Sequence, residues 1–208
     1  MLGTLQVFSQ SCYYKQELKN STMQIIDLCP DSLEAIQQAA ALLVEGFQEH
    51  WPNAWPDLDS ALEEVQESFG ADRISRIAVD DAGTVLGWIG GIQQYNGNVW
   101  ELHPLVVRSD CRGKGVGRSL VADLEERVRE RGGLTLWLGT DDEDNMTTLA
   151  GVNLYPNVFE HIATIKNLHG HPYEFYQKCG FVIVGVVPDA NGPGKPDIYM
   201  AKPVRDES

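Results

Sequence analysis

The residues that point most clearly to a binding role form a glycine-rich turn, RGKGVGRS, between a predicted strand and a predicted helix. Amides in such a turn point into one concavity, and the start of a helix adds partial positive charge. Glycines also let the backbone approach a ligand closely. The glycines are Gly113, Gly115 and Gly117, and the cations are Arg112, Lys114 and Arg118. The turn predicts a pyrophosphate site; the alternative is a tight strand–helix turn without a ligand.

Two common phosphate-binding motifs fit this turn poorly. A P-loop ends in Gly-Lys followed by Ser or Thr, and that ending is missing here. A dinucleotide fingerprint follows the first strand of a βαβ unit, whereas several predicted strands precede residues 112–119.

The turn resembles a known signature. Arg-x-x-Gly-x-Gly, from Arg112 to Gly117, is similar to the coenzyme A motif of the GNAT acetyltransferases, and Phe175–Phe181 resembles a second element of that family. The distance between the two is somewhat long because of residues 140–168. Four further segments resemble the aminoglycoside 6′-N-acetyltransferases of the enterococcal chromosomal kind: WELHPLVV (100–107), LGTDD (138–142), HPYEFY (171–176) and KPDI (195–198).

The resemblance implies a fold and a cofactor. The fold is α/β (α+β), with a mixed, mostly antiparallel central sheet that is splayed at the acetyl-CoA site and flanked by helices. The co-substrate is acetyl-CoA, and the related enzymes are homodimers. The resemblance assigns the following residues to acetyl-CoA: Leu105, Val106, Val107, Arg112, Gly113, Lys114, Gly115, Val116, Gly117, Arg118, Ser119, Thr140 and Tyr176.

The predicted strand 98–108 carries the catalytic candidates. Side chains alternate along a strand, so Glu101, His103 and Leu105 are predicted to share a face. Pro104 cannot donate to a ladder, which predicts a break in pairing or a bulge. By resemblance, this strand splays from its neighbour and pantetheine fills the gap. The Leu105 amide would then stabilise the oxyanion of the thioester carbonyl.

Acetyl transfer needs a neutral amine and a proton for the departing thiolate. Glu101 is the candidate base; the alternative is that it anchors a substrate ammonium. His103 is the second candidate base, because its ordinary pKa of about 6.5 suits the task, although packing or orienting is the alternative. By resemblance, Tyr176 protonates the thiolate or bonds its sulfur; the alternative is a core aromatic beside Tyr173.

The charge balance bears on the acceptor. The formal net charge is −14, which favours a cationic small-molecule substrate and disfavours nucleic acid and anionic membranes; the alternative is that the charge serves solubility. The acidic runs Asp57–Glu67 and Asp141–Asp144 either bind ammonium groups or form solvated surfaces. By resemblance, the acceptor contacts are Trp51, Tyr95, Glu101, Asp141 and Asp144.

The elements that must position these residues are predicted in one domain, 23–203, of the 208-residue chain. Residues 1–22 are either a disordered extension or a mis-assigned start ahead of Met23, and 204–208 form a polar tail. Predicted strands cover 23–28, 76–79, 84–91, 98–108, 134–138, 181–187 and 197–201. Predicted helices begin near Asp31, with Glu34 completing a capping box, and cover 58–69, 115–131, 158–166 and 172–179.

The cysteines and the apolar runs bear on location. The four cysteines form no C-x-x-C pair and no His cluster accompanies them, so neither a metal site nor a disulfide framework is expected. Scattered cysteines fit a reducing compartment. No apolar run reaches about 20 residues, the length of a membrane span. We therefore expect a cytoplasmic protein.

Three functions remain open from the sequence. The first is acetyl-CoA-dependent acetylation of the 6′-amine of aminoglycosides, by direct transfer in a ternary complex. The second keeps the chemistry and changes the acceptor to a polyamine, an arylalkylamine or a basic protein or peptide, because pocket loops set the acceptor. The third is a non-catalytic acyl-CoA-binding sensor, which the presence of Glu101 and Tyr176 disfavours.

Overall fold

Seven strands in the described residues form one sheet in the order β1-β2-β3-β4-β5-β7-β6. The computed structural model describes residues 23–204. All neighbouring strands are antiparallel except β4 and β5, which are parallel. The strands are β1 (Gln24–Asp27), β2 (Arg73–Val79), β3 (Val85–Gln94), β4 (Val99–Val107), β5 (Thr135–Asp141), β6 (Val182–Val187) and β7 (Asp197–Pro203). The predicted mixed, mostly antiparallel sheet is confirmed.

Five α-helices in the same residues flank this sheet. They are α1 (Leu33–Phe47), α2 (Leu58–Glu67), α3 (Val116–Glu130), α4 (Val158–Ala163) and α5 (Tyr173–Lys178). Apolar residues at four-residue spacing predicted the buried face of α3, and all four are buried: Val116, Leu120, Leu124 and Val128. Within residues 23–204, no helix is long and apolar enough to cross a membrane.

The start of α1 differs from its prediction. The helix begins after Ser32, and no side chain in the described residues caps it. The capping box predicted for Asp31 and Glu34 is therefore wrong. A capping box occurs instead at α2, where the Asp57 carboxylate accepts from the Ser60 amide at 2.9 Å and the Ser60 hydroxyl faces the Asp57 amide.

Each face of the sheet has its own hydrophobic core. The core under α1 and α2 includes Leu43, Val65 and Trp88, and the core under α3 includes Leu124 and Trp100. The first core positions the loop between α1 and α2, and the second fixes the start of α3. Both meet at β4, which contributes side chains to each.

The pairing between β4 and β5 is short. The described strands match at three positions, which end with Glu101 opposite Trp137. Beyond that point β4 continues to Val107 and β5 continues to Asp141, so the two strands diverge. The predicted splay of the sheet is therefore present, and it lies beside the strand that carries the catalytic candidates.

The predicted extension 1–22 and the last four residues, 205–208, lie outside the described residues. Val204, which the sequence prediction placed in the tail, is fully buried and donates its amide to the carbonyl of Leu134 at 3.1 Å.

A buried ion pair ties α3 to the sheet. Arg76 on β2 donates from Nε to Asp123 on α3 at 2.7 Å and from Nη2 at 3.0 Å, and both side chains are largely buried. We expect Asp123→Ala to lower the free energy of unfolding by about 3 kcal/mol, because a buried guanidinium loses its main partner. Urea unfolding measures this loss.

The matched control is Asp27→Ala. Asp27 pairs with the same guanidinium, but its side chain is 75% exposed, so we expect a loss below about 1 kcal/mol. Equal losses in the two variants would contradict this account.

Candidate active site

A cavity of about 750 Å³ opens where β4 and β5 diverge. One wall comes from the loop after α1, and the opposite wall from the end of β5 and the start of α5. The floor comes from β4 and the glycine-rich turn. Among its lining residues are Trp51, Trp55, His103, Leu105, Val106, Val107, Arg112, Gly113, Gly117, Gly139, Thr140, Asp141, Phe175 and Tyr176.

Two backbone amides of β4 point into the gap. Arg108 donates its amide to the carbonyl of Leu86 on β3 at 2.9 Å. In an antiparallel ladder, hydrogen-bonded and non-bonded pairs alternate, so Val106 also bonds to β3 through its pair with Trp88. The amides of Leu105 and Val107 therefore face away from β3, towards the space where β5 has diverged.

The glycine-rich turn forms an anion site at the start of α3. Gly113 and Gly115 adopt φ values of 74° and 94°, a left-handed region in which a side chain is strained. No side chain in the described residues caps α3, so its first amides keep their capacity to bind an anion. The arrangement fits a bound pyrophosphate.

The predicted residues of this turn divide into two groups. Arg112, Gly113 and Gly117 line the cavity. The others do not: Lys114, Gly115, Val116, Arg118 and Ser119. The side chain of Val116 packs in the core and is 5% exposed, so only its backbone can face a ligand.

A bulge in β4 overturns one prediction. The register moves from Ile89 opposite Leu105 to Gly91 opposite Leu102, so His103 and Pro104 together face Gly90. Leu102 packs in the core under α3, whereas Val106 packs under α1. An extra residue reverses the alternation. The prediction that Leu105 shares a face with Glu101 and His103 is therefore wrong: Leu105 packs on the α3 side.

His103 lines the cavity from the side of α2. Its Nε2 lies 3.8 Å from Oε1 of Glu64, and its ring centroid lies 5.9 Å from that of Trp55. Glu64 belongs to the acidic run of α2, which the sequence left open as a solvated surface. The carboxylate thus lies beside the imidazole on the α2 side of the cavity.

Glu101 is held beside the cavity rather than in its lining. Its carboxylate accepts from Nε2 of Gln94 at 2.5 Å, and Oε1 of Gln94 accepts from the Trp137 indole at 3.1 Å. Glu101 lies two residues before His103 on the same face, roughly 7 Å along the strand. This chain of hydrogen bonds leaves one carboxylate oxygen of Glu101 to act on a bound molecule.

Tyr176 lines the cavity from α5. Its ring centroid lies 5.1 Å from Phe175 and 5.8 Å from Phe181, both edge-on. Burial raises the pKa of the Tyr176 hydroxyl well above its usual range, so the hydroxyl keeps its proton at neutral pH. Gly117 allows the close approach of α3 to this helix, since a Cβ there would lie 3.2 Å from the Phe175 ring.

The predicted acceptor contacts are only partly brought together. Trp51 and Asp141 line the cavity. Asp144 does not line it but pairs with His50, which does, at 2.8 Å. Tyr95 lies in the turn between β3 and β4, is 75% exposed and lies outside the cavity lining.

The acidic run after β5 has mixed roles. Asp142 is fully buried and accepts from the amides of Met146 and Thr147, both at 2.7 Å, so it shapes the loop. Its neighbours Asp141 and Glu143 line the cavity. Among residues 23–204, no group of three or more His, Cys, Asp or Glu side chains is placed to hold a metal ion.

Sequence reasoning missed Asp197 as part of this region. It lies directly opposite Asp141 in the β5–β7 register, and its Oδ1 is buried without a hydrogen-bond partner in the described residues. Burial, together with Asp141 and Glu101, raises the pKa of Asp197 to about 7. The carboxylates of β4, β5 and β7 therefore form one acidic face, which only the strand register reveals.

Comparisons with known proteins agree with this geometry. The model of the acetyltransferase (GNAT) family matches residues 38–155. The structure of an aminoglycoside 6′-N-acetyltransferase complexed with coenzyme A is 43% identical over 89% of this chain and 99% of that chain, with a TM-score of 0.81. Comparison with curated protein sequences gives no match.

Two further solved structures are similar. The aminoglycoside 6′-N-acetyltransferase from Enterococcus faecium is 43% identical, with a TM-score of 0.80. An aminoglycoside 6′-acetyltransferase of type Ii is 38% identical, with a TM-score of 0.68. Each comparison covers 89% of this chain and 99% of the other.

The raised pKa of Asp197 predicts a pH-dependent stability. An unfolded Asp loses its proton near pH 3.9, so the folded state binds more protons up to about pH 7 and its stability falls as pH rises through that window. Asp197→Asn removes this penalty. We expect its melting temperature to exceed that of the wild type by several degrees at pH 8, and by less at pH 5.

Asp80→Asn is the control of opposite sign. Asp80 accepts from the amides of Ala82 and Thr84, and these bonds lower its pKa, so we expect a loss of stability at both pH values. An equal gain for Asp197→Asn at pH 5 and pH 8 would contradict the assignment.

Proposed function

The chain belongs to the GNAT family of acetyltransferases, and from that premise we propose that it acetylates the 6′-amine of aminoglycosides by direct transfer in a ternary complex. The observation that carries the proposal is the 43% identity to solved aminoglycoside 6′-N-acetyltransferases over 89% of the chain. The acidic cavity wall supports it, because such acceptors carry several ammonium groups.

Acetyl-CoA supplies the activated acetyl group as a thioester. The turn at 112–119 offers its amides and Arg112 to the pyrophosphate. The gap between β4 and β5 is open to the pantetheine arm, where the amides of Leu105 and Val107 face it. The Leu105 amide donates to the carbonyl oxygen that becomes negative during transfer. One aimed donor of this kind contributes roughly 3 kcal/mol.

The acceptor amine must lose a proton before it can attack. Glu101 takes that proton, directly or through a water, and Gln94 holds the carboxylate in place. His103 orients the acceptor, with Glu64 behind it. Tyr176 bonds the departing thiolate or gives it a proton; its raised pKa keeps the hydroxyl protonated and favours the hydrogen bond over complete proton transfer.

Recognition of the acceptor is proposed to lie on the acidic side of the cavity. Asp141 and Asp144 bind ammonium groups, and Trp51 provides an aromatic surface for a sugar ring or a cation. Asp144 must then exchange His50 for the ligand. Thr140 lines the boundary between this side and the acetyl-CoA side.

Two further properties belong to the proposal. We propose a homodimer formed through β6, which is an edge strand with Val182 and Val184 about 60% exposed; light scattering of the purified protein tests this.

We also propose a cytoplasmic location, supported by three unpaired cysteines in the described residues, Cys29, Cys111 and Cys179. Fractionation of the producing cells tests it.

The acceptor is tested by thiol release from acetyl-CoA. We expect turnover with a kanamycin-type acceptor that carries a 6′-amine, and little with a matched acceptor that carries a 6′-hydroxyl, because only the amine attacks efficiently. Turnover with spermine or a basic peptide instead would retain the chemistry and reject the acceptor. Tight coenzyme A binding without any thiol release would indicate a sensor.

The role of Glu101 is tested by Glu101→Gln, which keeps the hydrogen-bonding shape and removes the base. We expect kcat to fall by roughly 10²-fold or more, with the KM for the acceptor changed less than about threefold. A raised KM with unchanged kcat would show an ammonium anchor. The control is Glu63→Gln, for which we expect unchanged kcat and KM. Glu63 lies on the same helix as Glu64 but outside the cavity lining.

A further inference from the structure

His171 is a buried histidine that the proposed reaction does not use. Its side chain is 2% exposed, and it lies two residues before the first residue of α5. Nε2 lies 3.0 Å from the carbonyl oxygen of Asp141, and Nδ1 lies 3.2 Å from the amide nitrogen of Tyr173. Both ring nitrogens are therefore engaged with the backbone of other residues.

These two contacts fix the protonation state of the ring. A carbonyl oxygen can only accept, so Nε2 must carry a proton. An amide N–H can only donate, so Nδ1 must be bare. The structure therefore contains the neutral tautomer with its proton on Nε2. Burial lowers the pKa of His171, in agreement with this state.

The contacts join the two halves of the proposed site. Asp141 ends β5 on the acceptor wall, and Tyr173 begins the helix that carries Tyr176. The side chain of Asn167 holds the main chain of His171 on both sides, at 2.8 Å from its amide and 2.9 Å from its carbonyl.

The helix α5 depends on such external support. It has six residues, too few to be stable by itself. At its far end, Nζ of Lys202 donates to the carbonyl of Cys179 at 2.9 Å and to Glu125 at 2.6 Å. His171 provides the corresponding support at the start of the helix.

We propose that His171, as the neutral Nε2–H tautomer, is the positioning residue that sets where the Tyr176 hydroxyl lies by bonding the start of α5 to the end of β5. The proposal rests on the proposed function, in which Tyr176 meets the departing thiolate. It also gives the acceptor wall a direct connection to the acetyl-CoA side.

Protonation of the ring would break this connection. A proton on Nδ1 would face the Tyr173 amide hydrogen, and an acceptor contact would become a repulsion. The groups around the ring act in both directions: the carboxylates of Asp141 and Asp142 favour the proton, whereas burial and His50 oppose it. The Tyr173 ring packs against it at 5.7 Å. Acetyl transfer is therefore expected to decline on the acid side as His171 protonates.

Two substitutions separate the two hydrogen bonds. In His171→Asn the amide oxygen takes the place of Nδ1 and keeps the bond from Tyr173. In His171→Gln the amide N–H reaches towards Asp141 and the bond from Tyr173 is lost. We expect each to lower kcat roughly tenfold or more, since small misplacements of a catalytic group are costly, while the Kd for coenzyme A stays within about twofold.

The decisive measurement repeats both substitutions in the Tyr176→Phe background. If His171 acts through Tyr176, each changes kcat there by less than about twofold, because coupled residues are not additive. An equal loss of kcat in both backgrounds, or an unchanged kcat in the wild-type background, would overturn the proposal. The control is His169→Asn, at an exposed position two residues away, with unchanged kcat.

The wild-type protein provides a measurement that does not depend on folding of the variants or on the acceptor. In [¹⁵N]histidine NMR spectra at pH 7, His171 is expected to be neutral with its proton on Nε2. An imidazolium, or a proton on Nδ1, would overturn the proposal. If the wild type acetylated none of the amines, the proposed function would be rejected instead, and the NMR result for the His171 tautomer could still be interpreted.

Discussion

The structure depends on one interruption in the sheet. β4 and β5 pair as far as Glu101 and Trp137 and then diverge, although β4 continues to Val107. Unpaired amides in a protein interior are costly, so this edge is stable only because it faces a cavity that water or a ligand can fill. The divergence provides the space for a ligand and its hydrogen-bond donors together, and the glycine-rich turn lies at the end of the same strand.

The bulge at His103 and Pro104 then changes which face of the sheet the following side chains of β4 occupy. Glu101 and His103 face the side of α1 and α2, whereas Leu105, which follows the bulge, faces α3. A single extra residue thus lets one strand direct the side chains of Glu101 and His103 to one face of the sheet and that of Leu105 to the other. Glu64 contacts His103 from α2, and His171 bonds the end of β5 to the start of α5.

The sequence predicted the elements well because their signals are local. The apolar face of α3, the predicted strands 76–79 and 84–91 and the turn at 112–119 each follow from spacing within a few residues. The face of Leu105 did not follow, because a bulge reverses a strand's alternation without a sequence signature of its exact position. The pairing of Asp197 with Asp141 depends on register between distant strands, and the exposed position of Tyr95 depends on the hairpin that holds it.

The amides of Leu105 and Val107 form an edge that faces the cavity, and we propose that the thioester arm binds to it. Amide-resolved hydrogen exchange, followed by NMR with and without acetyl-CoA, tests it most directly. We expect exchange at the amides of Leu105 and Val107 to slow on binding, while exchange at Val106, already bonded to β3, changes little. Protection confined to residues 112–119, with Leu105 and Val107 unchanged, would contradict it.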